Sequence, residues 1–211
     1  MSSNFKYLVF GLISISIFAC KTDVAPSDPI DYSKIQAQNT DGTVNIIVEI
    51  PAGTTAKYEL NKKTQTLQID SVNHQPRYIN YLPYPSNYGM IPGTLLPKSQ
   101  GGDGDPLDII LLGQSVERGS IQKAKVIGAL KLLDTGENDD KLIAVPIASH
   151  WTQCNDILDL DSIYQGSLTI LETFFKNYKG NNQMEIKGRA NAIEAEKILQ
   201  QSIQGFQAQQ N

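Results

Sequence analysis

Three aspartates lie close together in the hexapeptide Asp103-Gly104-Asp105-Pro106-Leu107-Asp108. In an extended segment, positions 103 and 105 project to the same side, and Asp108 opens an apolar run. Like charges at such short spacing repel one another unless a cation neutralises them. The run is therefore a candidate site for a hard cation, and the alternative is a solvated turn rich in Asp, Gly and Pro. An EF-hand is excluded, because the twelfth position is Gln114 rather than Glu.

A second acidic group lies between two apolar runs, in Asp134-Thr135-Gly136-Glu137-Asn138-Asp139-Asp140-Lys141. This pattern predicts a hairpin in which Asp134 and Asp139 face each other across the turn, although such a tip can also serve solubility alone. Oxygen ligands favour Mg²⁺, Mn²⁺ or Ca²⁺. Only two histidines and two cysteines are present, which disfavours a zinc site.

Bases and phenols accompany the acids. Lys57 and Glu59 share one face of a predicted strand. Ammonium and guanidinium groups stabilise phosphoryl oxygens, so three further bases are candidate phosphate ligands. Taken singly, each is more often a solvated lysine or a packing tyrosine. The candidates are Arg77, Lys141 and Lys179, with the tyrosines Tyr84, Tyr88 and Tyr178.

The N-terminus predicts export. Lys6 precedes an uncharged stretch of thirteen residues, 7–19, which is the length of a signal-peptide h-region rather than of a membrane span. Ala19-Cys20 then resembles a bacterial lipobox, with an ordinary cleaved signal or a short anchor as alternatives. We therefore predict a signal peptide at 1–19, a lipidated Cys20 within a flexible tether at 20–42, and a membrane-anchored protein on the periplasmic or cell-surface side. The net charge of −4 does not indicate a surface that binds nucleic acid.

Strands dominate the centre and helices the end, which predicts an α+β fold with a closed sheet flanked by helices. The domain is expected at 43–205, with a C-terminal tail at 206–211. Residues 82–93 read as an irregular loop because of their prolines and glycines. The predicted strands are 43–50, 56–60, 66–69, 107–112, 124–133, 141–147 and one near 184–186, and the predicted helices are 168–178 and about 190–204.

Six ordered segments together resemble the family I soluble inorganic pyrophosphatases. The resemblance covers residues 43–205 and implies an OB-like five-stranded β-barrel with flanking helices. It also implies hydrolysis of diphosphate to two phosphates, with several Mg²⁺ ions (or Mn²⁺ as a substitute) activating a water. The segments are Val48-Glu49-Ile50-Pro51, Lys57-Tyr58-Glu59, Asn87-Tyr88-Gly89, the 103–108 hexapeptide, Asp134 with Asp139-Asp140-Lys141, and Tyr178-Lys179.

The same resemblance implies roles for single residues. Asp105 matches the residue that accepts a proton from the attacking water, and Glu59 matches an acid of the pocket. The link 70–83 differs in length from the usual one, which leaves the register of Arg77 open. The matched metal ligands are Asp103, Asp108, Asp134 and Asp139, with Glu49 for a further metal. The matched phosphate-binding residues are Lys57, Arg77, Tyr84, Tyr88, Lys141, Tyr178 and Lys179.

Two further expectations concern assembly and alternatives. The resemblance implies a homo-oligomer, hexameric in bacterial members, although Thr173 and Asn177 stand where some of these carry interface histidines. The competing function is an exported lipoprotein that binds diphosphate or polyphosphate with little turnover. A purely structural lipoprotein would not need two acidic loops, and no P-loop motif is present.

Overall fold

Over its described residues, the chain forms a mixed sheet with three α-helices. The computed structural model describes residues 30–98, 101–102, 104–148, 150–180 and 183–210. The strands are β1 Val44–Ile50, β2 Tyr58–Asn61, β3 Thr66–Ile69, β4 Ser71–Val72, β5 Gln75–Pro76, β6 Asn87–Met90, β7 Asp108–Leu111, β8 Ile121–Asp134, β9 Glu137–Asn138, β10 Lys141–Pro146 and β11 Met184–Asn191. The helices are α1 Ile157–Ile163, α2 Ser167–Asn177 and α3 Ala192–Gln210, and short 3₁₀ turns span Tyr32–Lys34 and His150–Gln153.

Five of these strands close into a barrel. They pair in the order β1, β6, β7, β10 and β8, and β8 then pairs with β1 again. The β7–β10 pair is parallel and the others are antiparallel. The 14-residue β8 is long enough to pair with β1 near its start and with β11 over its second half. The predicted OB-like barrel and α+β class are confirmed.

The helices cover the barrel with apolar side chains. Phe174 and Phe175 of α2 belong to one core cluster with barrel residues such as Ile127, while Leu199 of α3 belongs to a second. Asp156 fixes the entry to two helices: it forms a capping box at α1, and its Oδ2 accepts a hydrogen bond from Ala192 N at the start of α3, 2.9 Å away. In the part of the chain that is described, no helix is both long enough and apolar enough to span a membrane.

Strand β6 corrects the prediction of an irregular loop at 82–93. Its four residues are buried and pair with β1 and β7. Gly89 makes this possible, because a Cβ at that position would lie 2.0 Å from Ile47 O of the neighbouring strand. The glycine that suggested a loop instead permits a close approach of two strands. Helix α1 was also not predicted, since its seven residues carry little periodicity.

The folded domain extends beyond both of its predicted ends, 43 and 205. Helix α3 continues to Gln210, so the expected tail at 206–211 is wrong for residues 206–210. At the other end, the predicted tether 20–42 is ordered against the barrel over its last part. Tyr32 is buried and its hydroxyl donates to Gly119 O at 2.9 Å, and Asn45 N donates to Ala37 O at 3.0 Å. Cys20 and the predicted signal peptide lie outside the described residues.

Candidate active site

One cavity of about 360 Å³ collects most of the predicted site residues at one end of the barrel. Twelve of the fourteen predicted residues line it. Asp103 lies outside the described residues, and Tyr84 lies behind the wall. Those lining it are Glu49, Lys57, Glu59, Arg77, Tyr88, Asp105, Asp108, Asp134, Asp139, Lys141, Tyr178 and Lys179.

Lys141 is the centre of this cavity. Parallel pairing of β7 and β10 sets it opposite Asp108. Its side chain is 1% exposed, and its Nζ lies 2.6 Å from Asp108 Oδ2 and 2.9 Å from Asp139 Oδ1. A buried ammonium is tolerated here because two carboxylates surround it.

The pKa values of these two carboxylates are shifted in opposite directions. Burial favours the neutral form of Asp108, but the ammonium of Lys141 and a hydrogen bond from the Tyr88 hydroxyl outweigh it, so its pKa is lowered. Burial raises the pKa of Asp139, and the nearby Asp108 charge adds to this despite Lys141. Burial opposes the charge on Lys141, yet both carboxylates hold its pKa well above the usual value.

The predicted acidic hairpin forms, but Asp134 and Asp139 do not face each other across its turn as expected, because Asp139 N donates to Leu132 O. Asp134 ends β8 opposite Glu137, and the turn between them holds Thr135 and Gly136 at positive φ. Lys179, just beyond α2, places its Nζ 2.5 Å from Asp134 Oδ2 and 3.9 Å from Asp139 Oδ2. The hairpin carboxylates and the end of α2 therefore meet at one wall of the cavity.

Glu49 is buried on a barrel strand. The register between β1 and β6 shifts at this residue, between Val48 and Ile50. Its Oε1 accepts a hydrogen bond from Leu60 N at 2.8 Å, which joins the β2–β3 hairpin to the barrel. Burial raises the pKa of Glu49 to about 8, against the effect of that hydrogen bond. A cation beside this carboxyl would favour its ionised form.

The β2–β3 hairpin supplies the opposite wall. Lys57 forms an ion pair with Glu59, as their shared face predicted, and lies 3.9 Å from Asp70. Asp70 Oδ2 also accepts from Arg77 Nη1 at 2.9 Å. Arg77 also lines the cavity.

Aromatic rings form the floor beside α2. Tyr88 and Tyr178 line the cavity, and behind them Tyr84 packs against both, with ring centroids 5.3 and 6.0 Å away. Its hydroxyl is buried without a hydrogen-bond partner among the described residues, and burial raises its pKa. Tyr84 was predicted to bind phosphate, but it lies beneath the wall because its ring fills the gap between β6 and α2.

Several residues that line the cavity were not predicted, and two of them, Lys62 and Glu137, carry a charge. Lys62 is on the turn after β2, and its Nζ lies 2.5 Å from Asp105 Oδ1. The only available signal was its position five residues after Lys57, which does not reveal where a turn points. The others include Tyr58, Leu60, Met90 and Asn138.

The donor set suits a hard, oxygen-preferring cation. No group of three His, Cys, Asp or Glu in the described ranges is already gathered around a metal position, and two lysines bridge the carboxylates instead. Asp139 Oδ2, however, is buried and has no hydrogen-bond partner within the described residues. An unsatisfied buried carboxylate oxygen beside Asp108 and Asp134 fits a divalent ion such as Mg²⁺.

Comparison with known proteins agrees with this geometry. The model of the family "Inorganic pyrophosphatase" matches residues 46–207. An inorganic pyrophosphatase of Helicobacter pylori is 31% identical over 182 residues, covering 84% of this chain and 99% of the relative. One of Gluconobacter oxydans is 32% identical over 179 residues, covering 82% and 98%. The crystal structure of type I inorganic pyrophosphatase from P. falciparum superposes with a TM-score of 0.77 at 29% identity, covering 83% of this chain and 62% of that one. With its barrel, its cavity and these matches in agreement, the chain belongs to the inorganic pyrophosphatase family.

Proposed function

We propose that this chain hydrolyses inorganic diphosphate to two phosphates. The observation that carries the proposal is a single cavity in which carboxylates of β1, β7 and the β8–β10 hairpin alternate with ammonium and guanidinium groups. Such a mixture suits a small, highly charged anion that arrives with metal cations. Family membership supports the same reaction.

The bases of the cavity would bind the phosphate groups. Lys57 and Arg77 approach from the hairpin side, while Lys141 and Lys179 approach from the barrel and α2. Each is held by a carboxylate, so it is oriented before the substrate arrives. The remaining proposed contacts are the hydroxyls of Tyr88 and Tyr178, with Glu59 orienting Lys57. Such placement lowers the barrier mainly by positioning and electrostatics.

Asp105 would move the proton in this reaction. A water oxygen forms a bond to one phosphorus. The bond between that phosphorus and the bridging oxygen breaks, and the second phosphate leaves with the bridging oxygen. The water proton passes to the Asp105 carboxylate, which returns it to solvent or product. Asp105 lines the cavity and its side chain is exposed, as a group that exchanges protons with solvent needs to be.

The carboxylates would hold the metal ions. Asp108, Asp134 and Asp139 are the proposed direct ligands with Asp103, and Glu49 the ligand of a further ion. When bound, Mg²⁺ would supply positive charge that lowers the pKa of water and stabilises the attacking and leaving oxygens. Tyr88 and Lys141 both donate hydrogen bonds to Asp108 Oδ2, and these contacts would orient the carboxylate as a ligand.

The test is phosphate release from diphosphate by the full-length chain, solubilised in a mild detergent. We expect rapid release with Mg²⁺, none with a chelator, and a loss of at least about 100-fold in kcat for Asp105→Asn, because proton transfer contributes that much. The matched control is Asp161→Asn, on α1 and outside the described cavity lining, which should retain full activity. Tight diphosphate binding without turnover would favour the binding lipoprotein, and neither binding nor turnover would overturn both functions.

We further propose that the protein is exported and anchored by a lipid on Cys20. Support comes from the uncharged 7–19 stretch and the Ala19-Cys20 pair that follows it. In membrane fractions of a bacterium expressing the chain, Cys20→Ala should leave the membrane pellet, whereas Cys154→Ala should stay in it. If Cys20→Ala remains anchored, lipidation is not the anchor.

Self-association is proposed as well. Leu158, Ile163 and Ile170 on α1 and α2 expose large apolar side chains, which is common at subunit contacts. Light scattering after size exclusion gives the particle mass directly. A mass equal to one chain plus its detergent would refute an oligomer.

A further inference from the structure

We infer that Lys62 is a further diphosphate-binding residue, which captures the anion at the mouth of the cavity. This inference rests on the proposed function. Lys62 lines the cavity together with the twelve predicted residues.

The turn that carries Lys62 is well fixed. Asn61 Oδ1 accepts hydrogen bonds from Lys63 N at 2.9 Å and Thr64 N at 3.1 Å, and Gln65 Nε2 donates to Lys62 O at 2.8 Å. The backbone at Lys62 is therefore held in place, while its side chain reaches from the hairpin to the aspartate-rich loop. There its Nζ lies 2.5 Å from Asp105 Oδ1 and 3.5 Å from Gly104 O.

Among the described bases of the cavity, Lys62 is the most exposed. Its side chain is 53% exposed, against 29% for Arg77, 16% for Lys179, 13% for Lys57 and 1% for Lys141. An anion that enters from solvent meets this ammonium before the buried ones. Charges at the rim of a cleft raise the rate of capture, and their effect falls with salt.

The contact between Lys62 and Asp105 is suited to exchange. Both side chains are more than half exposed, and ion pairs in water are worth little. A phosphoryl oxygen of diphosphate carries more charge and forms stronger hydrogen bonds with an ammonium. When Lys62 turns to the substrate, its ion pair with Asp105, the proposed proton acceptor, is broken.

Neighbouring lysines on the same turn provide a matched test. Lys62→Met and Lys63→Met remove the same charge from adjacent exposed positions, but Lys63 is not among the described residues that line the cavity. Binding of methylenediphosphonate, whose bridging carbon prevents hydrolysis, is measured by calorimetry with Mg²⁺ at low and high salt. Diphosphate turnover is measured in parallel on the full-length chain.

We expect Lys62→Met to bind the analogue about fivefold more weakly at low salt and to show a smaller salt dependence, as for loss of one exposed ionic contact. Its KM for diphosphate should rise by a similar factor while kcat stays within twofold. Lys62→Arg should restore binding, and Lys63→Met should match the parent.

Three results would overturn the inference. They are unchanged analogue binding in Lys62→Met, an equal loss in Lys63→Met, or a fall in kcat with unchanged KM, which would make Lys62 only a partner of Asp105. A parent chain that neither binds the analogue nor hydrolyses diphosphate would overturn the proposed function itself, so the two failures are distinguishable.

Discussion

Replacement of Lys141 by methionine gives a sharp test of how the cavity is held together without metal. Methionine preserves most of the side-chain volume and removes the ammonium that lies between Asp108 and Asp139. Removing one partner of a buried ion pair costs about 3–5 kcal/mol, because the remaining charge is left uncompensated. Asp108 keeps the Tyr88 hydroxyl and Asp139 keeps Lys179, so we expect the lower value, about 3 kcal/mol.

That loss can be read in a melting curve. For a chain of this size, 1 kcal/mol shifts Tm by about 2–4 °C, so Lys141→Met should melt about 6–12 °C below the parent in a chelating buffer. Mg²⁺ would neutralise the same carboxylates, and ligands that bind only the native state stabilise it. Added Mg²⁺ should therefore raise the Tm of the variant by more than that of the parent.

Lys131→Met is the matched control, since Lys131 is exposed on β8 and its loss should change the stability by less than about 0.5 kcal/mol. The electrostatic reasoning is refuted if Lys141→Met melts within 2 °C of this control (about 1 kcal/mol). It is also refuted if Mg²⁺ raises the Tm of both variants equally.

Three further substitutions test the elements around the cavity. Gly89→Ala should lower the free energy of unfolding by about 3 kcal/mol or more in a urea titration, because its Cβ would meet Ile47 O at 2.0 Å; an unaffected midpoint would contradict this close approach. Tyr84→Phe removes a buried hydroxyl that lacks a hydrogen-bond partner among the described residues, so stability should be unchanged or higher by up to about 1 kcal/mol; a loss of analogue affinity would instead make Tyr84 a phosphate ligand. Arg118→Met removes a guanidinium that lies 3.7 Å from the ring centroid of Tyr58. We expect a higher KM for diphosphate and a free energy of unfolding lower by about 1 kcal/mol. An unchanged KM would show that the β2–β3 hairpin does not need this contact.

The sequence predicted best those elements whose pattern is local. Strand β3 is found at 66–69 as predicted, and the acidic hairpin places Asp134 and Asp139 at one wall of the cavity. The resemblance to the family supplied the barrel, which no periodicity in the chain reveals, and it selected twelve residues that do line one cavity. Their individual roles remain predictions.

The missed features depend on contacts between distant segments. Gly89 was predicted to be a loop residue, but a glycine is needed there because Ile47, about forty positions earlier on β1, lies too close for a Cβ. The N-terminal residues near Tyr32 looked like a tether because their polar composition does not show the barrel surface on which they pack. Lys62 was not predicted, because only the folded β2–β3 hairpin brings it to the cavity. Tyr84 was predicted to line the cavity but lies behind its wall, because it packs against Phe174 of α2.

Barrel closure by β1 and β8 has a kinetic consequence. Val44 pairs with Ala124 across about eighty residues, and such non-local pairings form slowly because the long loop between them must first be closed. Glu49 lies on one of these strands and Asp134 at the end of the other, so the cavity exists only after they have joined. The onset of catalytic activity during refolding would therefore report the last step of assembly, and a bound diphosphate analogue should slow unfolding without accelerating folding.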